Sequence, residues 1–145
     1  GDKAPEFNAI TDTLQPVTLD STSGVRIFSV VPSLDTPVCD MQTKRFNEEA
    51  AKSPDISFYT FSMDLPFAQK RWETAMGVDK IKMVSDHRDA SFGEHYGTLI
   101  KELRIHSRAI IVVDKDNTIQ HVEYVKEVGE HPNYDAALTA AKSLA

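Results

Sequence analysis

Two nearly continuous apolar runs, Val25 to Val31 and Ile56 to Met63, constrain this chain more than any other feature. Both are rich in β-branched and aromatic residues, the pattern of strands covered on both faces. Between them Val38, Met41, Phe46 and Ala50 recur at helical spacing, with Lys44, Arg45, Glu48 and Glu49 at polar positions, which predicts an amphipathic helix. Strand, helix and strand in that order make a βαβ unit with parallel central strands.

The rest of the chain extends this unit. A second helix is expected from Pro66, a residue suited to the first helical position, to Gly77, a natural C-terminal stop. A short strand over Ile81 to Val84 and a short helix over Ala90 to Tyr96 follow. Ala109 to Val113 is a clear strand, Asp114-Lys115-Asp116-Asn117 is turn chemistry, and Thr118 to Val125 returns as the antiparallel partner. From Asn133 or Tyr134 to Leu144, the spacing of Tyr134, Ala137, Leu138 and Ala141 gives a closing helix. The predicted class is α/β, with a mixed central sheet flanked by helices in a thioredoxin-like fold, formed as one domain over residues 1–145. With 145 residues, 41% of them hydrophobic, such a domain buries a core without disulfides or structural metal.

Composition removes several classes of function. The net charge of −6 comes from scattered acidic and basic residues, so no basic stripe is available for nucleic acid or an anionic membrane. No apolar run approaches the roughly 18 residues of a membrane span. The first residues, Gly1-Asp2-Lys3-Ala4-Pro5, lack the apolar core of a signal peptide, although the chain starts without Met. A soluble, cytoplasmic protein is expected. His87, His95, His106, His121 and His131 show no i, i+3 or i, i+4 pairing, and a single cysteine cannot build a Cys-rich zinc site. Neither metal nor other cofactor is expected.

That single cysteine, Cys39, falls where chemistry is favoured. The strand ending at Val31 runs through Pro32-Ser33-Leu34-Asp35-Thr36-Pro37-Val38-Cys39 into the amphipathic helix, on the carboxyl side of the sheet, where open α/β folds place their sites. Thr36 suits the N-cap and Pro37 the first helical position, which makes Cys39 the third helical residue. Unpaired backbone N–H groups and the positive end of the helix dipole favour a thiolate there, and an ionised thiol is a nucleophile. A thiolate flanked by donors, with no general base beside it, suits cleavage of an O–O bond better than acyl transfer. The Thr36 hydroxyl, the Cys39 N–H and one fixed guanidinium are the candidate donors, and Pro32 the shield against bulk water. Spacing alone leaves Arg104 and Arg108 both open as the guanidinium.

The segment Pro32 to Cys39 fits the Pro-x-x-x-Thr-x-x-Cys signature of the peroxiredoxins. Phe28-Ser29-Val30-Val31, Thr43 to Glu49, Ser62-Met63-Asp64-Leu65-Pro66-Phe67-Ala68-Gln69 and Ser85-Asp86-His87-Arg88 resemble their bacterial thiol peroxidase (Tpx) subfamily. The resemblance covers nearly the whole chain. It implies a homodimer, an external thiol reductant such as thioredoxin, and antioxidant reduction of hydrogen peroxide and organic hydroperoxides. In it Cys39 is the peroxidatic cysteine and passes through a sulfenic acid. It also selects Arg108, at the head of Ser107-Arg108-Ala109-Ile110-Ile111-Val112-Val113-Asp114, as the catalytic arginine.

Three departures from that subfamily stand out. Its members resemble two-cysteine enzymes whose resolving cysteine follows Arg-Trp or Arg-Phe on the second helix, and here Arg71-Trp72 is followed by Glu73. A carboxylate cannot close a disulfide, so the resolving thiol is expected from outside the chain, either an external thiol or a second subunit's Cys39, or the sulfenic acid proceeds toward sulfinic acid. Pro37 stands where the subfamily often has Gly, which stiffens the first turn. The N-terminal hairpin usual before Gly1-Asp2-Lys3-Ala4-Pro5-Glu6-Phe7 is trimmed or missing.

Two other readings have their own signatures. A cysteine hydrolase needs a histidine within hydrogen-bond reach of Cys39, and a redox-sensing or chaperone dimer needs no turnover. Trp72, Phe67 and Tyr59 are expected in core packing rather than in a ligand box. Lys44, Arg45, Glu48 and Glu49 are expected on a solvated helix face.

Overall fold

A computed structural model describes residues 1–127 and 129–145. The chain opens with strands β1 (Asn8–Thr11) and β2 (Pro16–Thr18), then forms β3 (Val25–Val30), α1 (Pro37–Lys52), β4 (Ile56–Ser62), α2 (Pro66–Met76), β5 (Lys82–Ser85) and α3 (Ser91–Tyr96). Two very short strands follow, β6 (Leu99–Ile100) and β7 (Ile105–His106), then β8 (Ala109–Val113), β9 (Ile119–Tyr124) and α4 (Tyr134–Leu144). Seven strands make one sheet in the order β2-β1-β5-β4-β3-β8-β9. Strands β3, β4 and β5 are mutually parallel, while β8 runs antiparallel to β3 and β9 antiparallel to β8. The mixed sheet with its parallel centre is therefore as predicted.

The alternation of β3 splits the core in two. Val25 and Ile27 face a layer holding Phe46 of α1, Trp72 of α2 and Leu138 of α4, whereas Phe28 and Val30 face Phe7 and the α3 residues Phe92 and Tyr96. The second layer is dominated by rings: Phe61 stacks on Phe92 at 3.9 Å between centroids, and Phe92 on Tyr96 at 4.2 Å. With helices on both faces, a continuous apolar strand is what each central position requires.

Helix boundaries follow their signals. α1 starts at Pro37 with Thr36 as N-cap, and α2 starts at Pro66 and stops at Gly77, whose φ of 67° is the left-handed conformation glycine adopts without strain. Asn133 caps α4, its side chain accepting the Ala136 N–H. Other expectations need correction. β5 lies one residue later than predicted, and the hairpins β1–β2 and β6–β7 were not anticipated, being too short for a periodic signal. The buried face of α1 is not the apolar stripe read from spacing: Met41 is 53% exposed, and Cys39, Gln42, Thr43 and Phe46 point inward. Phe67 is also exposed, at 68%, although Trp72 and Tyr59 are core residues. Among the described residues no helix is long and apolar enough to cross a membrane.

Candidate active site at the start of the first helix

The loop between β3 and α1 is held from a distance. The Asp64 carboxylate, just beyond β4, accepts from the Ser33 hydroxyl at 2.9 Å and from the Leu34 N–H at 2.9 Å. The Thr36 hydroxyl donates to the Ser33 carbonyl at 3.0 Å and makes no capping bond to the helix. This differs from the role expected for it: with its one proton engaged, that oxygen offers lone pairs rather than a donor to anything beside it. The first turn of α1 is left without a side-chain cap. Pro37 has no N–H, and the amides of Val38 and Cys39 lie ahead of the first intrahelical bond, Asp40 N–H to Thr36 carbonyl.

Cys39 is a free thiol with no exposed surface, and Pro32, just beyond the strand that leads into this loop, is also buried. A groove of about 280 Å³ runs along the outside of this turn, lined by Leu34, Thr36, Pro37, Trp72 and Met76 among others. One turn further along the helix, Thr43 donates to the Cys39 carbonyl at 2.8 Å.

Arg108 and Arg104 separate clearly. Arg104 is exposed on the turn between β6 and β7 with a φ of 55°, whereas Arg108 precedes β8 and is 1% exposed. The Arg108 guanidinium donates through Nη1 to Gln42 Oε1 at 2.9 Å, and the Gln42 amide donates to the Ser29 hydroxyl of β3 at 2.7 Å. Gln42 is three residues beyond Cys39, so both side chains leave the same face of α1 and the arginine is drawn to the cysteine's side of the helix. Electrostatics agree with this placement. Burial raises the Tyr134 phenol above its ordinary value, Arg108 and Arg45 pull it back, and Cys39 pushes it further up, so one ring senses both groups.

Gln42 and Asp64 were not singled out from the sequence. The signal for Gln42 was available in its i+3 spacing from Cys39, but a glutamine on a helix reads as solvated unless a buried partner is known. The charged face of α1 is more than a solvated surface. Arg45 pairs with Glu49 at 3.5 Å and Asp135 at 3.2 Å, and lies over the Tyr134 ring at 5.1 Å.

Three of the five histidines are engaged with other groups: His95 with the Glu6 carbonyl, His106 with Asp86 and Thr98, and His131 with the Tyr134 hydroxyl. The arrangement required of a cysteine–histidine dyad is therefore not formed by these three. Glu73 turns away from the groove that its neighbour Trp72 lines. It lies in a separate depression with Asp12, Thr13 and Gln15, and Lys70 reaches it at 3.5 Å. Burial and the nearby Asp12 carboxyl hold Glu73 above the usual carboxylate range, and Lys70 only partly offsets this.

The Redoxin family matches residues 1–138. The chain is 52% identical over 145 residues to the thiol peroxidase of Bacillus subtilis (strain 168), covering 99% of this chain and 87% of that one. It is 48% identical over 143 residues to the thiol peroxidase of Clostridium acetobutylicum, with the same shares covered. Among solved structures, a peroxiredoxin-like protein from Aquifex aeolicus superposes with a TM-score of 0.93 at 38% identity, over 100% of this chain and 86% of that one. A thiol peroxidase from Chromobacterium violaceum shares the fold with a TM-score of 0.86 at 23% identity, over 99% and 85%. On a full-length match of this kind, with a lone cysteine at the first turn of α1, the chain belongs to the thiol peroxidase subfamily of the peroxiredoxins and is a thiol-dependent peroxidase.

Proposed function

We propose that Cys39 is the peroxidatic nucleophile and that the catalytic cycle closes with a thiol from outside the chain. The observation that carries this reading is the bond from Arg108 to Gln42, one helical turn from Cys39, which brings a buried cation to the sulfur's side of α1. The Cys39 thiolate attacks one peroxide oxygen, the O–O bond breaks, and the departing alkoxide or hydroxide takes a proton to leave as alcohol or water. Cys39 becomes a sulfenic acid. Arg108 and the free amides of the first turn stabilise the negative charge that moves onto the leaving oxygen, where preorganised donors contribute most. Thr36, its proton engaged by Ser33, accepts from the peroxide O–H and so orients the substrate. Pro32 keeps bulk water from the sulfur.

Resolution then differs from that of a two-cysteine enzyme. Glu73 has no sulfur to offer, so a reductant thiol attacks the sulfenic acid, releases water and leaves a mixed disulfide, which a second thiol reduces to regenerate Cys39. A thioredoxin-type dithiol supplies both thiols in sequence. Hydrogen peroxide and organic hydroperoxides are the proposed substrates, in a homodimer of single-domain chains working in the cytoplasm, where such reductants are kept reduced. The uninterrupted sheet from β2 to β9 supports the single domain.

The test is turnover of peroxide in excess dithiol. Cys39→Ser is expected to fold with an unchanged circular dichroism spectrum and to consume no peroxide, and persistence of activity in that variant sinks the reading. A parent protein that is oxidised once by peroxide and never turns over with any thiol would instead favour a redox sensor.

A further inference from the structure

His106 and Asp86 form a buried pair that the chemistry at Cys39 does not use. Both side chains are wholly inaccessible, and Nε2 of His106 lies 3.3 Å from Oδ2 of Asp86, at ion-pair distance rather than in an aligned hydrogen bond. The other ring nitrogen, Nδ1, is 2.9 Å from the Thr98 hydroxyl. A hydroxyl can give or take a proton, so this seat accepts the imidazole in either tautomer.

Each partner fixes a different element. Asp86 caps α3 from a distance: its carboxylate accepts the N–H groups of Phe92 at 3.0 Å and Gly93 at 2.8 Å, where the N-cap residue, Ala90, has no side chain able to do so. The His106 ring is pressed against Gly93, where an added Cβ would come within 2.8 Å of the imidazole and 2.9 Å of the Leu99 side chain, and it meets the Phe92 ring edge-on at 6.1 Å. Thr98 closes the other side, its carbonyl accepting the Ser107 N–H at 2.6 Å. The next residue is Arg108, whose carbonyl is held by the Val125 N–H at 2.9 Å and whose guanidinium is held by Gln42.

We infer that His106 is a positioning residue that acts through Arg108: by pinning the β6–β7 hairpin to α3 and Asp86, it fixes the backbone from which the guanidinium is aimed. This rests on the proposed role of Arg108 at the peroxide site. A small displacement of a charge-stabilising donor is enough to lose about two orders of magnitude in rate, so a rigid anchor two residues upstream has a large lever on the reaction. The charged Asp86 meets the ring on one side, and Phe92, Gly93 and Thr98 meet it on the others.

The test is a double-mutant cycle on the full chain, read as the single-turnover rate constant for oxidation of Cys39 by hydrogen peroxide. H106L, which keeps bulk but removes both ring nitrogens, is expected to slow oxidation by about tenfold or more. H106Q, which keeps a donor for Asp86, is expected to return to within about threefold of the parent. In an R108A background H106L is expected to cause no further slowing, because residues that act through one another are not additive. A full-sized additional loss there, or an unchanged rate in H106L alone, overturns the inference. If H106L does not fold, T98V, which removes the partner of Nδ1, takes its place in the same cycle under the same criteria. An R108A protein that oxidises at the parent rate instead sinks the proposed role of Arg108, so that failure is told apart from one confined to His106.

Discussion

Helices α1 and α2 are built by the same local rules and end up with different chemistry. Each follows a parallel central strand, each starts with proline at its first position, and neither N-cap side chain bonds the helix. Each also buries one glutamine completely. Gln69 on α2 spends its amide on the strands, donating to the Ser62 hydroxyl and the Val84 carbonyl, both at 3.0 Å. Gln42 on α1 binds a strand hydroxyl too, but it also accepts from a buried arginine. The third helical residue is Cys39 in one helix and Ala68 in the other. A strand-to-helix junction supplies unpaired amides wherever it occurs. On the proposed function, what makes one of them reactive is a sulfur in its first turn and a cation brought from the residue before β8, far away in sequence.

That contrast can be broken or sharpened by substitution. The largest effect is expected from Arg108→Ala, which removes a charged donor: oxidation of Cys39 by peroxide should slow by about 10²–10³-fold in stopped-flow measurements. Gln42→Leu comes next. It leaves the guanidinium without its amide acceptor and should cost about 1–3 kcal/mol in urea unfolding, with a loss of about tenfold or more in peroxide rate. Gln69→Leu is its counterpart on α2, expected to lose comparable stability while oxidation stays within about twofold of the parent. Equal rate losses in both glutamine variants would mean that the two helices are not functionally distinct.

The smallest effect concerns the middle of α2. Glu73 is held above its ordinary value by burial and by Asp12, so the folded state retains a proton that the unfolded state gives up. Its contribution to stability is therefore present below the ordinary carboxyl range and lost as pH rises through the raised value. Glu73→Gln should stabilise the protein near neutral pH by about 0.5 kcal/mol, allowing for solvent screening, or about 2 °C in Tm. The difference should disappear toward about pH 4, where Glu73 is protonated. Melting curves at both pH values check it, and a gain of equal size at each would assign the effect to something other than charge.

Much of this organisation was legible in the sequence because it rests on long, strong patterns. β3, α1 and β4 have enough residues for periodicity to speak, and Pro66 and Gly77 bracket α2 through backbone preferences that hold without tertiary context. The β6–β7 hairpin has two residues in each strand, which no periodicity can reveal. The phase of α1 departs from its apolar stripe for an energetic reason. Hydropathy favours burying Met41 over Gln42, but a buried amide with partners for both its donor and its acceptor costs little, and exposing one methionine costs little as well. Arg108 could not be separated from Arg104 by spacing, since only the fold shows which one turns inward. Thr36 is the N-cap residue that the sequence predicts, but the partner of its hydroxyl is not legible there, because the choice between helix amides and the Ser33 carbonyl depends on a loop conformation set by Asp64.

The proposal that one sulfur performs the peroxide chemistry and is resolved from outside meets its most direct test in intact-mass analysis of the reduced protein after one equivalent of hydrogen peroxide. The expected product is the monomer carrying one added oxygen on Cys39, converted on addition of a small thiol to the mixed disulfide and then to the starting mass. Peroxide consumed with Cys39 left as an unmodified thiol, or an oxygen found on another residue, would contradict it.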